Sequence, residues 1–230
     1  MDSYFSNGHL VAGFSGKNYI VDTGCPLSFN YFNEKSLMLD NGREFDVNGS
    51  ILCPKEVADD LSGMDISGFL GMDIIRKTGF TVDYNNKLFR FDAGSIDESD
   101  KNYLCLDFTL FLDNYILLDD VNIGGRIGKI IIDTGAPISY VSSGLLKLLE
   151  PLGERYHDYS PEYGELTGEY YMGILKIERE AGRIVNDIKT GQLPGILEKF
   201  GLFDAIVGIK DITDKSIVID FDKMNIWIEI

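Results

Sequence analysis

The sequence predicts a mostly β protein made of two β lobes, related by a pseudo-twofold axis, with a few short helices. Three observations support this fold class. The chain has 230 residues, 44% of them hydrophobic, which is enough for a packed core. Short apolar runs bounded by turn residues recur along it. The segment YIVDTGCPLSF, residues 19–29, returns as IIIDTGAPISY at residues 130–140.

The similarity between the halves extends beyond these two turns. GFLGMD in the first half corresponds to AIVGIKD in the second, and TVDYNNKLFRF corresponds to VIDFDKMNIWI. The aspartate of the last block follows the glycine by 12 residues in both halves, from Gly71 to Asp83 and from Gly208 to Asp220. Three blocks in the same order indicate an internal gene duplication.

The halves differ in the length between the acidic turn and this glycine. The interval is 49 residues in the first half and 75 in the second. The polar segment GSIDESDKN, residues 94–102, is typical of a linker. We therefore expect a first lobe over residues 1–100 and a second lobe over residues 101–230, with the longer insertion in the second.

Several elements can be predicted in chain order. PKEVADDLSG predicts a helix, because Pro54 suits a first turn and Gly63 suits its end. SSGLLKLLEP predicts a second helix, with Ser142 or Ser143 as the cap and Pro151 as the stop. IGGRIGK lacks the residues of a phosphate-binding loop and predicts a Gly-Gly hairpin turn. Strands are predicted at residues 103–112, 129–133 and 170–178.

Charge and composition disfavour several classes of function. The formal net charge of −16 argues against nucleic acid, whose phosphates require Lys and Arg. No apolar run approaches 18 residues, so no membrane insertion is expected. The start of the chain shows no signal-peptide pattern. Three cysteines cannot all pair and fit no zinc pattern, so we expect a reduced, cytoplasmic location, no disulfide and no metal.

The repeated turn places an aspartate at the end of an apolar strand in each half. If the lobes pack about a pseudo-twofold axis, Asp22 and Asp133 meet at the interface. Two carboxylates in contact share one proton, so one acts as a base and the other as an acid. Such a pair can activate water for hydrolysis without a cofactor. A glycosidase also uses paired acids, but those acids need not lie on duplicated turns.

Cys25, beside the first turn, offers a second kind of chemistry. A cysteine nucleophile requires a nearby base, and the chain has two histidines, His9 and His157. Neither has an evident link to Cys25. A small packed residue is therefore the preferred interpretation.

These motifs resemble those of aspartic proteases of the retroviral and pepsin type. Each half has Asp-Thr-Gly after an apolar strand, followed by an apolar-apolar-Gly motif, FLG or IVG. The chain looks like two retroviral-sized halves fused into one, and the resemblance spans residues 10–91 and 121–228. It implies the bilobal retropepsin-like or pepsin-like fold and a monomeric aspartic endopeptidase that hydrolyses peptide or protein substrates.

The resemblance also implies a role for each motif residue. Asp22 and Asp133 would be the catalytic dyad. The next two residues of each turn would support it, through hydrogen bonds between the lobes and close approach of the backbone to water and substrate. These supporting residues are Thr23, Gly24, Thr134 and Gly135. Gly71 and Gly208 would let their strands pack behind the turns.

A hairpin flap over the substrate is implied as well. In the second half, residues 157–177 contain Gly164 and Gly168 near a possible tip, with Tyr163 and Tyr170 around it. The candidate in the first half, residues 43–53, is shorter. We expect one large flap on the second lobe, with an ordinary surface hairpin as the alternative.

The sequence departs from the family beside each aspartate. Pro26 and Pro137 replace the polar residue of retroviral proteases, and neither can donate a hydrogen bond. Cys25 and Ala136 replace the hydroxyl residues of pepsins, so we expect activity at a higher pH than a pepsin's. An alternative function is a catalytically weak or inactive peptide-binding or scaffold module of the same fold.

Overall fold

The computed structural model describes residues 2–39, 42–47, 49–94, 96, 100–160 and 164–230. Strands dominate these residues, which confirms the prediction of a mostly β protein. They form a ten-stranded sheet, an eight-stranded sheet and a two-stranded sheet. Among the helices described, none is long and apolar enough to cross a membrane.

The elements fall into two groups along the chain. The strands of the first group are β1 (Asp2–Ser6), β2 (His9–Phe14), β3 (Lys17–Val21), β4 (Phe29–Asn30), β5 (Ser36–Met38), β6 (Glu44–Asp46), β7 (Gly68–Leu70), β8 (Phe80–Asp83) and β9 (Leu88–Arg90). Its helices are α1 (Lys55–Ser62) and α2 (Met72–Thr78).

The second group is longer. Its strands are β10 (Tyr103–Asp107), β11 (Thr109–Phe111), β12 (Tyr115–Ile123), β13 (Arg126–Asp133), β14 (Ser139–Val141), β15 (Glu150–Ser160), β16 (Gly164–Arg179), β17 (Gly182–Gln192), β18 (Ala205–Gly208), β19 (Ser216–Asp220) and β20 (Asn225–Glu229). Its helices are α3 (Ser143–Leu146), α4 (Gly195–Phe200) and a short 3-10 turn at Ile209–Asp211.

The two halves repeat one arrangement around their acidic turns. In the first half, β3 runs parallel to β7, and β4 pairs antiparallel with β7. In the second half, β13 runs parallel to β18, and β14 pairs antiparallel with β18. The duplicated sequence blocks therefore form matching three-strand units, each with the acidic turn at the end of its first strand.

The ten-stranded sheet takes strands from both sides of the predicted boundary near Asp100. Its order is β10-β20-β19-β8-β9-β1-β2-β3-β7-β4, and the halves join where β19 pairs antiparallel with β8. The largest buried apolar cluster also mixes both halves, with Leu10 and Leu70 beside Ile130 and Val207. Residues 95 and 97–99 of the predicted linker lie outside the described residues.

The extra length of the second half lies largely in three long strands. The eight-stranded sheet has the order β11-β12-β13-β18-β14-β17-β16-β15, in which β15, β16 and β17 pair antiparallel in sequence. The predicted strand at 170–178 falls within β16. The single strand predicted at 103–112 is wrong, because the chain leaves one sheet at Phe108 and enters the other.

Local signals located some elements and missed others. The C-cap of helix α1 is Gly63 in the left-handed conformation, and α3 follows Ser142, as predicted. The predicted stop of the second helix at Pro151 is wrong, because α3 ends at Leu146 and Pro151 lies in β15. The Gly-Gly turn between β12 and β13 is also confirmed. Helices α2 and α4 were not predicted. Helix α2 follows strand β7 with only Gly71 between them, and Gly71 is its N-cap. Because glycine has no side chain that could cap a helix, the sequence contains no signal for the start of α2.

Candidate active site

The two repeated aspartates lie in one cleft between the halves. Asp22 directly follows β3, Asp133 ends β13, and both carboxyl groups line this cleft. Each carboxylate also accepts a hydrogen bond within its own turn. Gly24 N donates to Asp22 Oδ1 at 2.8 Å, and Gly135 N donates to Asp133 Oδ1 at 2.9 Å. The two turns therefore present their acids in the same way.

The threonines of the turns join the two halves directly. The backbone N–H of Thr23 donates to Thr134 Oγ1 at 3.0 Å, and the N–H of Thr134 donates to Thr23 Oγ1 at 3.0 Å. Each hydroxyl then donates to a backbone carbonyl of the opposite half, Thr23 to Ile132 at 2.9 Å and Thr134 to Val21 at 2.6 Å. Both threonines are fully buried. Four reciprocal bonds thus fix the turns against each other.

The glycines after the threonines leave room for the opposite acid. A Cβ atom on Gly24 would overlap the carboxylate of Asp133, and one on Gly135 would overlap the carboxylate of Asp22. Any side chain at either position would therefore separate the two acids. This steric requirement is reciprocal between the halves.

The glycines of the FLG and IVG motifs lie behind the turns. A Cβ on Gly71 would lie 2.6 Å from the carbonyl oxygen of Cys25, and one on Gly208 would lie 2.7 Å from that of Ala136. Both distances are shorter than real Cβ contacts. The strands β7 and β18 can therefore pack against the turns only with glycine at these positions.

A serine and an aspartate support each of these glycines. Ser28 Oγ accepts from Gly71 N at 2.9 Å and donates to Asp73 at 2.6 Å. In the second half, Ser139 Oγ accepts from Gly208 N at 3.1 Å and donates to Asp211. The serines were visible in the duplicated sequence. The two aspartates, placed just after each glycine motif, are supporting residues that the sequence analysis missed.

Burial determines the protonation of the two central acids. It raises the pKa of Asp22 well above the usual range, and the charge of Asp133 raises it further. Burial also raises the pKa of Asp133, but hydrogen bonds from Gly135, Asp22 and Ala136 oppose the rise. Because burial opposes the charge of both acids, the pair favours a state with one shared proton. Burial also raises the pKa of the Cys25 thiol, which stays neutral and packed.

The cleft has a volume of about 430 Å³ and a mainly apolar wall. Acidic side chains line it, but among the described residues no lysine or arginine does. The apolar residues of the second half that line it include Phe111, Tyr115, Ile131, Leu166, Leu197, Leu202, Phe203 and Ile206. A largely apolar ligand is chemically suited to this wall.

The hairpin of β15 and β16 borders the cleft from the second half. Asp158, Tyr159 and Ser160 of β15 line the cleft together with Leu166 of β16. Tyr159 also packs against an apolar cluster of the first half. The hairpin therefore extends from one half to the other beside the two acids.

The predicted flap residues occupy different parts of this hairpin. Tyr163 lies outside the described residues. Gly164 pairs with Ser160 next to the hairpin tip. Gly168 is not near the tip: it lies within β16 opposite Tyr156, where a Cβ would lie 2.7 Å from the tyrosine ring. The register of the hairpin, with Ser160 paired to Gly164, explains the difference.

Tyr170 lies further along the same strand. Its ring packs against that of Tyr156 at 5.4 Å between centroids, and Lys189 Nζ lies 4.1 Å from its centre. In the first half, the candidate flap contributes Leu52 to the cleft, while β6 pairs with β5 in the small sheet.

Three side chains near the two acids were not predicted. Tyr140, seven residues after Asp133, donates its hydroxyl to the buried carboxylate of Asp158. His9 Nδ1 lies 2.8 Å from the carbonyl oxygen of Gly135. Asp158 and His9 lie on strands distant in sequence from Asp133, whereas Tyr140 lies on β14 just after the turn. Only the presence of His9 as one of two histidines could have drawn attention to any of them.

Comparisons with known proteins add no assignment. No protein-family model matches the chain, and no curated protein matches it. Within the described part of the chain, no group of three or more His, Cys, Asp or Glu side chains is arranged to hold a metal ion.

Proposed function

We propose that this protein is an aspartic endopeptidase with a bilobal fold of the retropepsin and pepsin type. One observation carries the proposal: the aspartates of two duplicated turns line one cleft, each held in the same way by its own turn. The reciprocal threonine bonds and the paired glycines support it, because they hold two acids in contact that would otherwise repel each other.

We assign a separate role to each acid, with the shared proton placed on Asp22. Asp133, as the carboxylate, accepts a proton from a water molecule while that water attacks the carbonyl carbon of the peptide bond. Asp22 at the same time donates its proton to the carbonyl oxygen. The resulting diol collapses when Asp133 returns a proton to the leaving nitrogen and Asp22 regains one from a hydroxyl. The C–N bond breaks, one water is consumed, and both acids regain their starting states.

The walls of the cleft suggest the class of substrate. An extended peptide with large apolar side chains would bury them against residues such as Phe111, Leu166 and Phe203. The hairpin of β15 and β16 would cover this peptide from the second half. The acidic lining near Asp22 disfavours substrates with acidic side chains beside the cleaved bond.

Digestion of a peptide library tests the proposal. Cleavage products are identified by mass spectrometry for the wild type and for Asp22→Asn and Asp133→Asn. We expect both variants to lose essentially all activity, because each acid has a separate role. Asp60→Asn, an exposed acid on α1, is the matched control and should retain full activity.

The same assay separates the alternative function. Substantial cleavage by either dyad variant would contradict the assignment of the two acids. If the wild type cleaves no peptide but binds library peptides in the cleft, the protein is the peptide-binding module rather than a protease.

A further inference from the structure

The hairpin of β1 and β2 carries a histidine of the first half to the acidic turn of the second. Strand β2 pairs with β3 through Val11 and Ile20, and the same register continued by two residues places His9 opposite Asp22. A Cβ on Gly8 would lie 2.8 Å from the carbonyl oxygen of Pro137, so the hairpin turn packs closely against the second half. This packing fixes His9 beside the turn that carries Asp133.

His9 forms one hydrogen bond and leaves its other nitrogen unused. Its Nδ1 lies 2.8 Å from the carbonyl oxygen of Gly135, which can only accept, so Nδ1 carries the proton. Its Nε2 is buried and has no hydrogen-bond partner among the described residues. The side chain is 6% exposed. This pattern fits a neutral imidazole, because a second buried N–H would need an acceptor.

The electrostatic surroundings of His9 agree with the neutral form. Burial lowers the pKa of His9, and the negative charge of Asp158 on β15, together with the hydrogen bond to Gly135, opposes this only in part. His9 is therefore uncharged at neutral pH. Its effect on the second turn is that of a fixed hydrogen-bond donor.

The bonded carbonyl belongs to a residue that also contacts the acid. Gly135 N–H donates to Asp133 Oδ1 at 2.9 Å, while His9 holds the carbonyl oxygen of the same residue. His9 thus holds the residue whose N–H stabilises the charge of Asp133.

We propose that His9 is a positioning residue, whose Nδ1–H fixes the carbonyl group of Gly135 so that the N–H of the same residue stays on the carboxylate of Asp133. The kinetic consequence rests on the proposed function, whereas the effect on the titration of Asp133 does not. Loss of the donor frees Gly135, weakens its N–H bond to Asp133 and makes the ionised form of that acid less favourable.

Three substitutions separate the donor from the bulk of the ring. His9→Asn keeps an N–H donor near the position of Nδ1, His9→Gln moves it toward Nε2, and His9→Leu keeps apolar volume without a donor. We expect His9→Leu and His9→Gln to lower kcat about tenfold, because the loss of one hydrogen bond corresponds to about a factor of ten. KM should change little. The acid limb of their pH profiles should move to higher pH. Asn should restore most of the rate and the profile.

A purely structural role for His9 predicts the opposite order. If the ring serves only to fill space, Leu should retain activity and Asn should lose it because of the cavity. That order, or an unchanged pH profile in the Leu variant, would overturn the inference.

Nuclear magnetic resonance gives a readout that does not depend on peptide cleavage. The tautomer of His9 is measured by nitrogen shifts, with the exposed His157 as an internal reference. The carboxyl titration of Asp133 is followed in the wild type and in the Leu and Asn variants. In the wild type we expect the proton of His9 on Nδ1. Among the three proteins compared, only His9→Leu should show a raised pKa of Asp133. A proton on Nε2, or equal titrations, would refute the inference even if the protein proves to be a protease.

Discussion

Replacement of Thr23 by valine tests the connection between the halves. Valine has nearly the shape of threonine but no hydroxyl, so two buried backbone groups lose their partner: the N–H of Thr134, which is bonded at 3.0 Å, and the carbonyl of Ile132, which is bonded at 2.9 Å. A buried group without a partner costs about 1–3 kcal/mol. The free energy of unfolding should therefore fall by about 2–6 kcal/mol.

Thermal unfolding at neutral pH, followed by circular dichroism, measures this loss. For a chain of this length, 1 kcal/mol corresponds to about 2–4 °C in Tm, so Thr23→Val should lower Tm by at least about 4 °C. Thr23→Ser keeps the hydroxyl and loses one methyl group, which costs about 1 kcal/mol. Thr167→Val, at an exposed position of β16, is the surface control and should change the free energy by less than about 0.5 kcal/mol.

The order of the variants decides the outcome. The reciprocal bonds require valine to be clearly worse than serine at position 23. If Thr23→Ser proves as destabilising as Thr23→Val, packing of the methyl group rather than the hydroxyl connects the halves. The account of the threonine bonds would then be wrong.

Three further predictions concern the cleft. The pKa of Asp22 is raised in the folded protein, so ionisation of this acid opposes folding at any pH above its pKa in the unfolded chain. Asp22→Asn should therefore raise Tm at pH 7 but not at pH 3, and equal changes in Tm at the two pH values would contradict this. Gly71→Ala should destabilise the protein by more than about 2 kcal/mol in urea unfolding, whereas Gly195→Ala, with open space around it, should not. Tyr140→Phe should lower Tm by removing the donor to buried Asp158, and an unchanged Tm would argue against that bond.

The sequence was most informative where local chemistry is repeated. The Asp-Thr-Gly motif after an apolar strand indicates a turn from local sequence alone. Because the motif occurs twice, the sequence also indicated that two such turns could meet. The glycines at 71 and 208 were recognisable for the same reason, since each stands in a short motif at a fixed distance from the last strand pair. These features depend on residues close together in the chain.

Features that depend on distant strands could not be predicted in this way. His9 contacts a turn 126 residues away, and no local pattern encodes that contact. Gly168 looked like a turn residue, but its glycine is required because the ring of Tyr156 occupies the space of a side chain. Phe108 continues an apolar run in sequence, yet the chain changes sheets there. In each case tertiary packing overrides the local signal.

The pairing of β8 with β19 has a consequence for how the chain folds. During synthesis β8 is made first, and its partner emerges about 130 residues later. Until then β8 presents an open edge on that side, with backbone groups able to pair with another chain. Contacts this remote in sequence form slowly. The nascent chain is therefore prone to aggregate during the interval before β19 is made. A chaperone that covers the edge of β8 would reduce this aggregation.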